Sequence, residues 1–541
     1  MRNVIVTLVL LCASAALFSL PAVYYLNTAA VGGPESDVWN SLWLMWAVPA
    51  AMVNPQLSLG DFSLLVDPAG VDLWPHLGNA LLPLIMSPIT LSLGPGTAAN
   101  LALIVALFLN VLFAYLFLRV VVGDHGAALP PALAFGVGTF VLSEAGYGNV
   151  ELAGVFVLPL AAWAVVRAGD APSWRHGLFV AMALVLAALW NAYYGMAAFV
   201  FAVLAAVWAT VDDKSKAPLW TIGGGVLAAA LALSPLAVAL AGHVDAAQPA
   251  GGWTTPGAQL DLLEPFYLAR DYPDTVPYFL LIVGLIGLVR HRKQTFFWWM
   301  AAVVLFVFSL GPSLHVLGGD TGNPGPYRLL AMLPGMERAR WPYRFIIMAH
   351  LCLAVSAAWA LRGAAEFLEQ RGLREEGKLT AIAVLLALTM SFFLTPHPAV
   401  ATAVPDAYGA LHEAGEGAVL ELPVHADVRI NARYLYYQTV HRHSVLVGQP
   451  LPDRPEGLPP AVLAQAPSLT PLNSFPPDVI ALAMVDDEQC RAELRDLGVH
   501  YVVWHPYDAP ENVRPLLEAW IEQTFGGPLR RDRATVVYLI K

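Results

Sequence analysis

Charge is what this sequence has least of. Only 13% of its 541 residues are charged, 57% are apolar, and the mean hydropathy is +0.60. A soluble protein carries roughly 25% charged residues, so this chain cannot cover a water-exposed surface. A cytosolic enzyme and a disordered scaffold are both excluded. Cysteine is scarce as well: Cys12, Cys352 and Cys490 lie in different segments with no CxxC spacing, so neither a disulfide framework nor a structural zinc site is encoded. Basic residues number 29 against 40 acidic ones, a net charge of −11, which argues against a nucleic-acid partner. The sequence contains no GxxxxGK[ST], HExxH or GxSxG, so a P-loop nucleotide site and two common hydrolase signatures are missing. No internal repeat or low-complexity tract occurs.

What the chain has in abundance is apolar runs long enough to cross lipid. A span takes about 20 residues at 1.5 Å per residue. Eleven candidates are read at 3–25, 97–119, 129–146, 150–167, 177–193, 194–211, 219–241, 275–289, 294–311, 342–362 and 378–395. The first reads as an uncleaved anchor. The stretch 77–93 is short and holds two prolines, so it reads as a re-entrant or interfacial helix. Charge distribution tests this layout, because short cytoplasmic loops hold the excess Lys and Arg. With the N-terminus inside, thirteen Lys/Arg fall on the inner face and five on outer loops. A twelfth span at 77–93 would move Arg119 outside and invert everything after it. The outer loops of the membrane part carry 14 carboxylates against those five cations, so the external mouth is acidic.

Composition shifts near residue 395. The first 395 residues hold 40 charged side chains and the last 146 hold 29, a density close to the soluble norm. The expected architecture is an all-α polytopic membrane domain over 1–395, with a large first outer loop at 26–96, followed by a small extracytoplasmic α/β domain over 396–541. In the latter, AVLELPV, HYVVW and TVVYLIK read as strands, DEQCRAELRDLG as a helix closed by Gly498, and 448–477 as a proline-rich loop.

Candidate functional residues gather on the outer side. In GGPESDVWNSLWLMW, Pro34 and Ser36 set up a helix start with Asp37 at its cap or first turn. Trp39, Trp43 and Trp46 then share one helical face, which predicts a helix lying flat at the lipid boundary, where Trp is favoured. Asp37 is either a cap or, with Glu35, a site carboxylate. Asp67, Asp72 and His76 precede the apolar 77–93 stretch and could line a site or solvate the loop. Glu144 and Glu151 flank a short outer turn near Asn149, where ionisable groups at membrane depth face a cavity or a partner. Arg338, Arg340 and Arg344 stand at the external entry to the tenth span against the local charge trend. They suit a lipid phosphate, which guanidinium grips bidentately, or pairing with outer carboxylates. GGG at 223–225 lies within a span, where small residues permit close packing.

The order of these pieces resembles the GT-C superfamily of integral-membrane glycosyltransferases, in particular a bacterial group. The likeness runs over the whole chain as loose patterns, best at SDVWNSLW and RARWPYRF. It implies a polyprenyl-phosphate-linked sugar donor, a glycan, lipid or protein acceptor, catalysis on the extracytoplasmic side of a bacterial inner membrane, and a catalytic carboxylate in the first outer loop, here Asp37. Where members of that group carry Gly-His, this chain has Gly148-Asn149. The resemblance leaves the cofactor open between none and a divalent metal. Two other classes remain: a lipid-linked-sugar transporter, which would favour mid-span charges and an inverted repeat, and a non-catalytic envelope assembly protein.

Overall fold

The computed structural model describes residues 2–55, 57–58, 62–65, 81–212, 216–243, 260–263, 276–332, 341–372, 376–391, 397–425, 428–446 and 458–540. In chain order the helices are α1 Arg2–Phe18, α2 Val38–Val53, α3 Leu81–Leu93, α4 Pro95–Val122, α5 His125–Gly136, α6 Thr139–Gly146, α7 Val150–Ala153, α8 Val157–Asp170, α9 Trp174–Trp190, α10 Ala192–Asp212 and α11 Ala217–His243. They continue with α12 Tyr278–Arg290, α13 Arg292–Ser309, α14 Tyr327–Leu330, α15 Ile346–Gln370, α16 Glu376–Ser391, α17 Ala407–Glu413, α18 Val428–His441, α19 Pro460–Gln465, α20 Val479–Leu482, α21 Asp487–Asp496 and α22 Arg514–Phe525. The strands are β1 Ala29–Val31, β2 Ser313–Val316, β3 Gly319–Pro324, β4 Ala399–Ala401, β5 Ala418–Leu422, β6 Val499–Trp504, β7 Arg530–Arg531 and β8 Val536–Leu539.

Two compact units emerge. The first comprises 1–24, 78–82 and 100–397, and the second 25–77, 83–99 and 398–541.

The first unit is the polytopic membrane bundle. Each of the eleven apolar runs overlaps helix among the described residues, where six segments are long and apolar enough to span by length and composition: Pro95–Val122, His125–Gly146, Val150–Asp170, Ala192–Val211, Ala217–Ala239 and Pro342–Gln370. The remaining runs form helices that are shorter or more polar; α1 stops at Phe18, three residues ahead of Pro21, which cannot donate to a continuing helix. The central helix is α15, whose residues Ile346–Ala358 are buried and which packs on α5, α12 and α13. Its contact with α12 is intimate: a Cβ on Gly287 would sit 2.1 Å from the Ser356 carbonyl oxygen, so only glycine lets the backbones approach. Ser356 Oγ donates to the Gly284 carbonyl at 2.8 Å and accepts from Trp299 Nε1 at 2.9 Å. By contrast, α11 leaves most of its apolar surface outside protein contact, as a lipid-facing helix must. Of the GGG tract only Gly225 meets a neighbour, the Gly177 backbone of α9.

The second unit is α/β. Its main sheet has the order β5-β6-β8-β7, with β5 and β6 parallel and the other pairs antiparallel. All three strands read from sequence lie in it. α21 ends before Gly498 at φ +74°. Glu421 of β5 is fully buried; its carboxyl group accepts from Tyr408 Oη at 2.8 Å and lies 2.8 Å from His505 Nε2, so the buried polar group has partners.

Two readings are corrected here. The first outer loop, assigned from sequence to the membrane domain, folds largely with the C-terminal residues: β1 pairs antiparallel with β4, and Leu65 bridges to Val445. Nor does the tryptophan face of α2 lie against lipid. Trp43 is fully buried with Ala47, Phe62, Leu65 and Leu435, and its indole Nε1 donates to Gln438 Oε1 of α18 at 2.9 Å. Trp39 packs on Tyr436 with ring centroids 5.3 Å apart. An indole N–H can be satisfied equally by a headgroup or a buried amide, and here the amide lies 395 positions away.

Candidate active site

Asp37 occupies the N-cap of α2 in the second unit, yet its side chain makes no capping hydrogen bond. Ser36 does that work: its hydroxyl accepts from Val38 N at 3.4 Å and donates to the Gly33 carbonyl at 2.7 Å. The bland role foreseen for Asp37 is therefore taken by its neighbour. The Asp37 and Glu35 side chains are both solvent-exposed, with Ser36 buried between them.

In the first unit a buried polar cluster forms around Glu144. The chain leaves α6 through Gly148 at φ +80°, a conformation that favours glycine. This turn returns Asn149 onto the helix it has just left. Asn149 N donates to the Glu144 carbonyl, and Asn149 Nδ2 to Glu144 Oε2, both at 3.0 Å. Tyr343 Oη, 199 positions away, donates to Glu144 Oε1 at 2.9 Å. Glu144 is 2% exposed, and each of its oxygens holds one hydrogen bond.

Arg344 completes the cluster. Pro342 opens a single 3₁₀ turn, Pro342–Phe345, ahead of α15, and this sets Tyr343 and Arg344 side by side. Arg344 Nε lies 3.8 Å from Glu144 Oε1, an ion pair too long for a hydrogen bond, and Nε has no hydrogen-bond partner. The guanidinium instead stacks among aromatic rings, 4.8 Å from the centroid of Tyr193 and 5.6 Å from those of Trp341 and Tyr343. Tyr193 Oη accepts from Trp341 N at 3.1 Å, tying the α10 start to the turn before α15. Beneath, Trp190 Nε1 donates to the Glu151 carbonyl at 2.8 Å and Tyr194 Oη to the Leu152 carbonyl. These bonds fix the α7 turn. Glu151 is half-buried and presents its backbone, rather than its carboxylate, to Trp190.

The structure thus brings together Glu144 and Arg344, with Glu151 on the adjoining turn. Asp67, Asp72, His76, Arg338 and Arg340 lie outside the described residues. Sequence reasoning left out Tyr193, Trp341 and Tyr343, and set Asn149 aside. The aromatic character of WPY beside Arg344 was the available signal. Among the described residues, no group of three His, Cys, Asp or Glu side chains is placed to hold a metal ion.

Comparison with known proteins gives a fold. No protein-family model matches the chain, and neither does any curated protein. Among solved structures, the arabinofuranosyltransferase AftD from Mycobacteria matches over 98% of this chain at a TM-score of 0.62 and 14% identity. At that identity the likeness is one of fold. The Archaeoglobus fulgidus oligosaccharyltransferase in its apo form shares this fold over 95% of the chain and 71% of its own length, at a TM-score of 0.51 and 15% identity. The chain spans 40% of the length of AftD.

Proposed function

We propose that this protein is a membrane glycosyltransferase that moves a sugar from a polyprenyl-phosphate donor to an envelope acceptor on the extracytoplasmic side, in a bacterial inner membrane with the N-terminus cytoplasmic. The observation that carries this reading is Arg344: a buried cation flanked by aromatic rings, on a fold otherwise found in sugar transferases. A guanidinium at the outer end of a span, with an Nε–H not committed to any hydrogen bond, is suited to a lipid phosphate.

The chemistry is a single displacement. An acceptor hydroxyl attacks the anomeric carbon, forming a new C–O bond as the bond to the phosphate oxygen breaks. The hydroxyl proton passes to the Asp37 carboxylate. The electron pair leaves with the lipid phosphate, whose growing charge is met by Arg344, with Arg338 and Arg340 beside it in sequence. The donor carries its own leaving group, which accounts for a chain without nucleotide motifs. Asp37→Asn tests the assignment. The variant should fold and insert normally yet lose sugar transfer by about 10²-fold or more, the usual scale of general-base loss; unchanged turnover would remove Asp37 from the reaction. A transporter would move the lipid-linked sugar across the bilayer without releasing polyprenyl phosphate, so the same assay separates the two.

A further inference from the structure

Glu144 was read from sequence as a substrate-binding carboxylate, and its surroundings point elsewhere. The side chain is 2% exposed. Each of its oxygens already accepts one hydrogen bond, Oε1 from Tyr343 and Oε2 from Asn149, and burial keeps the rest of the carboxylate from a sugar. Its remaining neighbour is Arg344 at 3.8 Å. We infer that Glu144 is a positioning residue that holds the Arg344 guanidinium in register for the donor phosphate; the inference rests on the phosphate role proposed for Arg344.

A flexible cation must be held still to serve a phosphate. An arginine side chain carries about 2 kcal/mol of rotamer entropy, and a phosphate site must be preorganised to act on it. Arg344 Nε donates no hydrogen bond that would fix the guanidinium plane. It is instead held by the rings of Tyr193 and Trp341 and by the Glu144 carboxylate. That carboxylate is itself held, by Asn149 at the N-cap of α7 and by Tyr343 on the approach to α15. Tyr343 therefore serves twice, packing against the guanidinium and orienting the group opposite it. The 3.8 Å spacing matters: attraction at that distance sets position without saturating the N–H that a phosphate oxygen would take.

Positioning and simple neutralisation predict opposite signs. If Glu144 merely cancels the charge of Arg344, removing it would free the cation and tighten phosphate binding. If Glu144 positions the guanidinium, removing its charge loosens the cation and weakens binding. The experiment measures the affinity of full-length protein in nanodiscs for undecaprenyl phosphate, the leaving group without its sugar, so it reads binding and not turnover. Arg344→Lys should weaken binding about tenfold, since a point charge replaces a planar fork. Glu144→Gln should weaken it by about fivefold, and Tyr343→Phe, which keeps the ring and deletes the donated bond, by about threefold. Tyr343→Phe guards against misfolding of the Gln variant. If Arg344→Lys binds as tightly as wild type, the phosphate assignment fails. If Arg344→Lys weakens binding while Glu144→Gln and Tyr343→Phe leave it unchanged or tighter, the phosphate assignment stands and the positioning role is overturned.

Discussion

Replacing Trp43 with phenylalanine asks whether the α2 tryptophans are packing groups or membrane anchors. In the structure Trp43 is fully buried, its ring meets Phe62 edge-on at 5.5 Å, and its N–H satisfies Gln438 Oε1. Trp43→Phe leaves that buried oxygen unpaired, at about 1–3 kcal/mol, and opens a small void at about 1 kcal/mol more. For a unit of about 200 residues each kcal/mol moves Tm by about 2–4 °C, so a fall of about 5–15 °C is expected. A protein of two units need not melt in one step. The assay is therefore a thermal ramp in nanodiscs with pulsed proteolysis, following peptides from residues 398–541. Gln438→Leu supplies the second arm. Because the two residues share one hydrogen bond, the double variant should cost less than the two single variants together by about 0.5–3 kcal/mol. A lipid-facing Trp43 predicts the reverse: phenylalanine is at home at that boundary, Tm would move by no more than about 2 °C, and no coupling to Gln438 would appear. That result would refute the packing assigned to α2.

Two further expectations follow from burial. Burial lowers the His441 pKa from 6.5 to about 3, with His443 and His412 adding to the shift. The unfolded chain therefore binds a proton that the folded one refuses between those values, and stability falls as pH drops below about 6.5. The loss is about 1.4 kcal/mol per pH unit, and His441→Phe should flatten that slope in the same proteolysis assay run from pH 7 to 4. In the membrane unit, Gly287→Ala should abolish recovery of monodisperse protein, because the new methyl meets the Ser356 carbonyl. Gly223→Ala, with nothing within 4 Å of the added carbon, should be recovered like wild type; equal recovery of both would mean that α12 and α15 do not pack as described.

The helices of the bundle were legible because lipid imposes a uniform demand on every residue of a span, and that demand is written locally. The strands of the second unit were legible for a similar reason: Val419, Val502 and Val537 stand in short β-branched runs bounded by turns. What could not be read is which surface an amphipathic face meets. The Trp39–Trp43–Trp46 stripe is equally consistent with lipid and with protein, and only the fold reveals Leu435 and Gln438 of α18 against it. α18 itself, RINARYLYYQTVH, lacks the apolar run that marks a span, and its tyrosines do not favour helix over strand. The Glu144 cluster was half visible, since both Glu144 and Arg344 break the composition of their surroundings. That they form a pair depends on a contact across about 200 positions, which single-sequence periodicity does not encode. The aromatic rings that seat Arg344 were hidden in plain view, because Trp and Tyr at a membrane boundary ordinarily need no further explanation.

Mass-spectrometric detection of free polyprenyl phosphate tests whether sugar leaves a lipid phosphate on this protein. Purified full-length protein in nanodiscs would be incubated with a panel of polyprenyl-phosphate hexoses and pentoses together with envelope glycan fractions. Release of polyprenyl phosphate from one donor, matched by mass gain on an acceptor and absent with Asp37→Asn, is the predicted result. Intact donors across the whole panel, or release that the Asp37 variant leaves undiminished, would contradict it.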